Sequence, residues 1–312
     1  MTQWTFLGKH PVKLGSLGLV ACFVLVGCGG GDSEPVASQP NEKSPKVTVA
    51  KIPAKKKDSG AQVAKKLVKT SAADETYKRL HQPISEAISF DPPVGDAQQP
   101  LNRTMTGKSI PEMYLKIIGN DGEGGIWDQI KFITDDGRRL KYQAILKTKL
   151  GNVTLDLDEE AAPNHVRNFI ALASVGYYNG LQFERAVKAG DPNDSEKYFE
   201  LIQAGCPKGT GEPGIGHMNY WLRWQDNDKT MEPGVLAAWH DETRESAACR
   251  FIIILNRAKT LDGQYTVFGR ISSGMDVAQK ILNQPKATDS DDVPENPVVI
   301  ESVEIRKTES AS

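Results

Sequence analysis

Residues 162–185 read APNHVRNFIALASVGYYNGLQFER. The proline in second position suits the first turn of a helix, because its missing N–H would have no helical partner there. Apolar residues then recur at helical spacing and form one stripe: Val166, Phe169, Ile170 and Ala173. The sequence GYYNG at 176–180 breaks this pattern, and a short apolar run follows. The stretch therefore predicts a helix that begins at Pro163, a turn, and a strand over 181–187.

The region from Tyr142 onward consists of short apolar strands separated by turns. In 153–157, apolar and polar residues alternate as they do in a strand with one buried face. The predicted strands cover 142–148, 152–157, 181–187, 198–204, 234–239, 251–255, 266–271 and 298–305, and a second helix covers 275–282. Many strands with only two helices predict a mainly β fold, specifically a closed antiparallel barrel capped by two helices.

Short motifs follow one another in order along this region. They are APNHVRNF at 162–169, GYYNG at 176–180, FER at 183–185, IQAG at 202–205, GTG at 209–211, GVL at 234–236, FII at 251–253, LDG at 261–263, VFGR at 267–270 and GMDV at 274–277. Each motif alone is weak, but the ordered set resembles the cyclophilins. The resemblance implies a cyclophilin-like domain over 141–307 that catalyses cis/trans isomerisation of peptide bonds before proline.

The resemblance also assigns roles to individual residues. Arg185 matches the family's catalytic arginine, and Gln203 matches the glutamine that helps to orient it. A guanidinium suits this task because it is always charged and presents several rigid donors. The positions that match the substrate-binding surface are Phe183, Phe199, Leu201, Trp239, His240, Arg250, Ile252, Leu261 and Tyr265. The resemblance implies neither a metal nor a cofactor, because the reaction requires no nucleophile and no proton transfer.

Several of these positions depart from the family. The replacements are Ile252 for a pocket phenylalanine, Thr260 for a tryptophan, Tyr265 for a histidine, Arg250 for a glutamine, and Trp239-His240 for an Ala-Asn pair. An insertion before Gln203 leaves either Phe199 or Glu200 at a further pocket position. The arginine centre persists while its apolar surround is rebuilt. Two alternatives to an efficient isomerase therefore stay open: a catalytically weakened peptide-binding module, and a scaffold lipoprotein whose middle segment recruits a partner.

The first residues are typical of an export signal. Lys9 and Lys13 precede an uncharged apolar run over 14–26, which is short for a permanent membrane span. The run ends in LVGC at 25–28, which resembles a bacterial lipobox, so Cys28 is the predicted lipidation site. The alternative is a plain signal peptide with an incidental cysteine. Residues 29–74 are rich in Pro, Ser, Ala and Lys and predict a flexible linker.

Residues 75–140 predict a small irregular or helical extension that packs on the barrel, with no function assigned. Apolar residues from Tyr77 to Ile88 fall at helical spacing, and Asp91-Pro92-Pro93 would end any helix. The segments 110–118 and 126–133 fit either short helices or strands. The acidic loop GNDGEGG at 119–125 does not have the spacing of an EF-hand, so no metal site is predicted there.

Charge and cysteine content limit the partners. The net charge is -2, and the basic residues form no stripe, which argues against nucleic-acid binding. We expect proline-containing polypeptides and, through a lipid anchor, a membrane as partners. We also expect a monomer in the bacterial cell envelope that faces the periplasm or the exterior.

In the resemblance, Cys206 and Cys249 align near opposite sides of the site. An oxidising compartment favours a disulfide between them, and two buried thiols are the alternative. Residues 308–312 predict a disordered tail.

Overall fold

The computed structural model describes residues 72–93, 101–120 and 123–309, all within one compact unit. The predicted signal peptide with Cys28, the linker up to residue 71 and residues 310–312 lie outside the described residues. Within the described ranges, no helix is both long enough and apolar enough to cross a bilayer.

The described residues form the following helices and strands, in chain order: α1 (Ala72–Leu80), α2 (Ile84–Ala87), β1 (Ile88–Ser89), α3 (Ile110–Ile118), β2 (Gly119–Asn120), β3 (Glu123–Gly124), α4 (Ile126–Gln129), β4 (Leu140–Thr148), β5 (Gly151–Leu157), α5 (Pro163–Ser174), β6 (Phe183–Ala189), β7 (Phe199–Ala204), β8 (Trp221–Leu222), β9 (Val235–Ala238), β10 (Phe251–Ile254), β11 (Val267–Ser273), α6 (Met275–Leu282) and β12 (Ser302–Glu309). Two 3₁₀ turns cover Arg244–Ser246 and Lys259–Leu261.

Eight of these strands form one antiparallel sheet in the order β12-β4-β5-β11-β9-β10-β7-β6. In β5, the alternation seen in the sequence becomes alternate burial, with Val153, Leu155 and Leu157 facing the core. The predicted mainly β architecture is confirmed, and α6 has the bounds that the sequence indicated.

The strand pairing does not continue all the way around the predicted closed barrel. β12 and β6 are the two ends of the sheet, and they are not hydrogen-bonded neighbours. The first residue of β6 and the residues just before it instead contact the segment that precedes β12. The Phe183 N–H donates to the Val298 oxygen over 2.9 Å, and the Gly180 N–H donates to the Ile300 oxygen over 2.7 Å. The two ends of the sheet are therefore joined by a short irregular contact.

The predicted last strand over 298–305 is divided for the same reason. Its first residues bond to the segment before β6, and the chain then crosses to the opposite end of the sheet, where the Glu301 N–H donates to the Lys147 oxygen over 2.8 Å. Only from Ser302 does it pair with β4. β12 then continues to Glu309, into the segment that was predicted to be a tail.

The extension is more helical than its sequence made clear. α1 ends at Leu80 and α2 begins at Ile84, so the helix predicted from Tyr77 onward is interrupted before Asp91. The cause is Pro83, which has no N–H and disfavours helical geometry in the residue before it. Residues 110–118 form a helix, and residues 126–129 form a single helical turn.

A buried arginine joins the extension to the domain. Arg167, on α5, is 2% exposed and donates to the backbone oxygens of Gln82 (2.6 Å) and Trp127 (2.8 Å). Its guanidinium also lies 4.7 Å from the centre of the fully buried Trp127 ring. Because a buried charge must be paired or hydrogen-bonded, these contacts require both segments to be in place. The extension and the sheet share one main hydrophobic core.

A second apolar cluster lies on the opposite face of strands β6, β7, β9 and β10. It comprises Val187, Leu201, Met231, Val235, Ala237, Ile252, Ile254, Ala258 and Val267. Its partly buried rim comprises Ala189, Phe199, Trp239, Leu261 and Tyr265. We call this group the second cluster. It contains most of the apolar residues that the sequence assigned to substrate binding.

Candidate active site

Arg185 and Gln203 lie at one edge of the second cluster. Strand pairing sets Arg185 opposite Gln203, Gln203 opposite Ile252, and Ile252 opposite Ala237, in a row across four strands. Residues directly opposite each other project from the same face of a sheet. The Arg185 side chain, on the end strand β6, is 30% exposed, whereas Gln203 is 1% exposed. The row therefore combines one accessible guanidinium, one buried amide and an apolar floor.

A β-bulge gives Arg185 this orientation. Phe183 pairs with Ala204 and Arg185 pairs with Gln203, so Glu184 is the extra residue. The bulge interrupts the alternation of side chains, so Phe183 points into the main core, where it is fully buried and its ring meets that of Phe251 at 6.5 Å. Phe183 therefore does not line the site, and its predicted role in substrate binding is wrong.

The bulge residue Glu184 is a buried carboxyl group that is 1% exposed. Its Oε1 accepts hydrogen bonds from the Cys206 N–H (3.2 Å) and, more weakly, from Gln203 Nε2 (3.4 Å). Burial raises the pKa of Glu184 to about 7, and the nearby Arg250 charge opposes this effect only in part. Two buried acceptors, Glu184 Oε2 and Gln203 Oε1, have no partner among the described residues. A proton on Glu184 relieves this arrangement, because a carboxylic acid can donate where a carboxylate cannot.

The guanidinium of Arg185 is held from two sides. Its Nη1 donates to the Asp292 carboxylate, which lies in the segment between α6 and β12. On the other side, Gly211 approaches so closely that a Cβ there would lie 2.8 Å from Arg185 Nε. Gly211 also has a positive φ of 66°, which side-chain-bearing residues rarely adopt. A glycine at 211 thus allows the loop to cover the arginine.

Three neighbouring rings, those of Trp239, His240 and Tyr265, form a group at the rim of the second cluster that we call the aromatic wall. The rings of Trp239 and Tyr265 are stacked at 5.5 Å, and the His240 ring lies 4.7 Å from Tyr265. Burial raises the pKa of Tyr265 to about 12, so its phenol is neutral at physiological pH. Leu261 completes the rim. This surface offers an apolar, partly exposed contact area next to Arg185 and Gln203.

Arg250 is a buried residue that contacts the Trp239 ring of the aromatic wall. It is 3% exposed, forms an ion pair with Asp241, and its guanidinium lies 5.9 Å from the Trp239 ring centre. A buried arginine with these partners is not a direct substrate contact, so the predicted role of Arg250 changes to that of a support. His240 is held by the backbone oxygens of Asp241 (2.8 Å) and Gln264 (2.7 Å).

The choice between Phe199 and Glu200 is decided by the alternation along β7. Phe199 has the same orientation as Leu201 and Gln203 and packs on the second cluster. Glu200 instead accepts a hydrogen bond from the Tyr198 hydroxyl over 2.8 Å. Phe199 is therefore the residue that contributes an aromatic ring to the site.

Comparisons with known proteins identify the family of this domain. A family model described as cyclophilin type peptidyl-prolyl cis-trans isomerase/CLD matches residues 144–305, just over half of the chain. The chain belongs to this family. The cyclophilin domain therefore has peptidyl-prolyl cis-trans isomerisation as its activity and proline-containing peptides as its substrates.

Two bacterial relatives match this domain over most of their own length. A peptidyl-prolyl cis-trans isomerase of Helicobacter pylori is 36% identical over 140 residues, 44% of this chain and 78% of the relative. Peptidyl-prolyl cis-trans isomerase B of Bacillus subtilis is 30% identical over 152 residues, 49% of this chain and 89% of the relative. A crystal structure of a Cryptosporidium parvum cyclophilin type peptidyl-prolyl cis-trans isomerase is 22% identical, with a TM-score of 0.45, and covers 54% of this chain and 98% of that chain.

The two cysteines of the cyclophilin domain are free thiols, so the predicted disulfide is not formed in this structure. Both are buried, Cys206 at 0% exposure and Cys249 at 1%. Burial raises the pKa of Cys249 to about 12. Since the thiolate is the form that undergoes thiol–disulfide exchange, this environment disfavours bridging.

A polar cleft of about 580 Å³ lies away from the isomerase site, between the extension and the start of α5. Its lining includes Arg79, Glu160, Asn164, Arg223, Asp226 and Lys229, and none of the predicted site residues. The cleft is therefore separate from the predicted site residues, most of which lie in or next to the second cluster.

Sequence reasoning missed four residues that shape the site: Glu184, Gly211, Asp241 and Asp292. Glu184 carried a signal, because it is a charged residue within a predicted strand and directly precedes Arg185. Gly211 lies in a motif that was recognised, but its contact with Arg185 was not predicted. Asp241 and Asp292 carried no signal, since their partners Arg250 and Arg185 are brought to them only by folding.

Proposed function

We propose that this cyclophilin isomerises Xaa-Pro bonds of exported proteins through Arg185, with Gln203 beside it. The observation that carries this proposal is the row in which Arg185 faces Gln203 at the edge of an apolar surface. No other accessible cation among the described residues combines these neighbours. The same row provides the polar and apolar contacts that a proline-containing segment requires.

The reaction needs a donor and not a nucleophile. The bond before proline rotates over a barrier of roughly 18–20 kcal/mol, because the nitrogen shares its lone pair with the carbonyl. In the twisted state, the prolyl nitrogen becomes pyramidal and regains that lone pair. A preorganised guanidinium donor stabilises the twisted state more than the planar ground state. Arg185 supplies that donor, and no cofactor is involved.

The second cluster supplies the binding surface. Leu201 and Ile252 form its floor, and Trp239, Leu261 and Tyr265 form its rim. A proline ring placed on this surface brings its nitrogen toward Arg185, and the fixed geometry lowers the entropic part of the barrier.

We propose a location for the enzyme from the sequence of residues outside the described ranges. A lipid on Cys28 would anchor the chain at a membrane, with residues 29–74 as a linker to a monomeric domain in the periplasm or at the exterior. The supporting observation is the apolar run that ends in LVGC at 25–28. Mass spectrometry of the mature chain would test it, since a non-lipidated N-terminus after cleavage elsewhere would rule out the anchor.

A weakened peptide-binding module is the second candidate, and Trp239 favours it. This large ring stands where the resemblance expects a small residue, and it packs on the second cluster. If the ring fills the position of the substrate proline, the domain binds peptides on its surface and turnover is slow.

A protease-coupled assay with proline peptides separates the two candidates. We expect turnover by the full chain, and a decrease of about a hundredfold in Arg185→Ala, the effect of removing one preorganised donor. Peptide binding without turnover would favour the weakened module. Unchanged turnover in Arg185→Ala would remove Arg185 from the mechanism.

A further inference from the structure

The pair Arg185–Asp292 links the site to a segment of the domain that contains none of the ordered motifs. Asp292 lies between α6 and β12, and its Oδ2 accepts a hydrogen bond from Arg185 Nη1. The side chains are 30% and 23% exposed, so the pair is partly shielded from water. Such shielding distinguishes it from a freely exposed ion pair, whose contribution is small.

Asp292 is itself fixed. Its backbone oxygen accepts from the N–H of Ala186, the residue after Arg185, over 2.8 Å. Its Oδ1 accepts from the Ser290 hydroxyl over 3.0 Å. A bridge between Lys286 and Pro294 closes the base of the segment. Both carboxylate oxygens are therefore occupied, and the group has little freedom to move away from Arg185.

The opposite side of the guanidinium is also bounded. Gly211 lies against Nε, and Nη1 is bonded to Asp292. Among the described residues, Nη2 has no hydrogen-bond partner. Nη2 therefore keeps both of its N–H donors available, while Nη1 is bonded to Asp292 and Nε lies next to Gly211.

We propose that Asp292 is the positioning residue of this isomerase, which holds Arg185 so that Nη2 faces the prolyl nitrogen. This inference rests on the proposed function of Arg185. An arginine side chain samples many rotamers in solution, and a donor that is ordered before the reaction stabilises the transition state without reorganisation. The carboxylate does not touch substrate, and it leaves the reacting donor free.

The test is the assay described above, applied to purified full chain with four variants. Asp292→Ala should lower kcat about tenfold and change KM less than about twofold, because orientation is lost while the binding surface stays. Asp292→Asn should keep most of the wild-type kcat, because the amide oxygen of the asparagine can still accept a hydrogen bond from Arg185 Nη1. Asp292→Glu keeps the charge but moves the carboxylate by one methylene, and an intermediate loss is expected. Asp291→Ala, at the exposed neighbouring position, is the matched control and should leave kcat unchanged.

A double-mutant cycle separates positioning from a general structural effect. In an Arg185→Ala background, Asp292→Ala should cause no further loss, because it acts through Arg185. An equal loss in that background would overturn the proposal, as would wild-type or faster turnover in Asp292→Ala. If Asp292→Ala does not fold, full activity of Asp292→Glu would overturn it.

The outcome also separates this inference from the proposed function. Turnover that needs Arg185 but not Asp292 would refute the positioning role alone. Absence of turnover in the wild-type chain would refute both.

Discussion

Arg185 is paired with Gln203 across the β6–β7 ladder, immediately after the bulge at Glu184. This register brings the buried amide of Gln203 next to the accessible guanidinium and places both above the second cluster. Gln203 is in turn close to Glu184, whose Oε1 accepts from its Nε2 over 3.4 Å. The proposed catalytic donor thus lies next to a buried amide, which in turn contacts a carboxyl group whose pKa is raised to about 7.

Truncation of Gln203 should slow the reaction more than it weakens binding. We expect Gln203→Ala to lower kcat about tenfold, because the partner across the ladder no longer limits the movement of Arg185. The exposed Gln129→Ala on α4 is the matched control and should retain wild-type kinetics. A loss seen only in KM would show that Gln203 binds substrate and does not order the arginine.

Glu184 should make stability depend on pH. Its pKa rises from the ordinary value of 4.5 to about 7 on folding, because burial disfavours the charge. The folded state therefore holds the proton more tightly, and the free energy of unfolding should fall as pH rises through this range. The stabilisation is fully present below the unfolded pKa and is lost above the folded one.

Glu184→Gln should remove this loss, because the amide stays neutral. Urea unfolding should be measured for both proteins at pH 5 and at pH 8. Between these two pH values, the free energy of unfolding of the variant should rise relative to that of wild type by up to about 3 kcal/mol. Glu295→Gln, at an exposed position, should show no such gain. Parallel curves for wild type and Glu184→Gln would contradict the burial of a titrating carboxyl group.

Trp239 should contribute to substrate binding as part of the aromatic wall. We expect Trp239→Ala to lower kcat/KM about tenfold, because the loss of a large contact surface costs on the order of 1–2 kcal/mol of binding energy. Trp239→Phe keeps an aromatic face and should retain most of the activity. Faster turnover in Trp239→Ala would instead favour the weakened module, in which the ring occupies the proline position.

The two thiols should be free and protected. With 0% and 1% exposure, Cys206 and Cys249 should resist alkylation in the native protein and react after unfolding without reductant. Mass measurement would count the labels. Labelling of these positions only after reduction would show that the disulfide exists in the exported protein.

The parts of the fold that depend on local pattern could be predicted from the sequence. Alternation of apolar and polar residues indicated β5, and the helical stripe after Pro163 indicated α5, because each period matches one regular geometry. The bounds of α6 were also correct. The break at Pro83 was missed because the apolar spacing continues across it.

The motifs around Arg185 and Gln203 were enough to indicate the family and its chemistry. Each motif is short, but together they occur along the chain in the order that is typical of the family. Folding alone decided which side chains share a face and which charges meet. The bulge at Glu184 turned Phe183 into the main core, burial left Cys249 a neutral thiol, and the segment after α6 brought Asp292 to Arg185. These outcomes depend on register, desolvation and contacts between distant segments, and no local period in the amino-acid sequence encodes them.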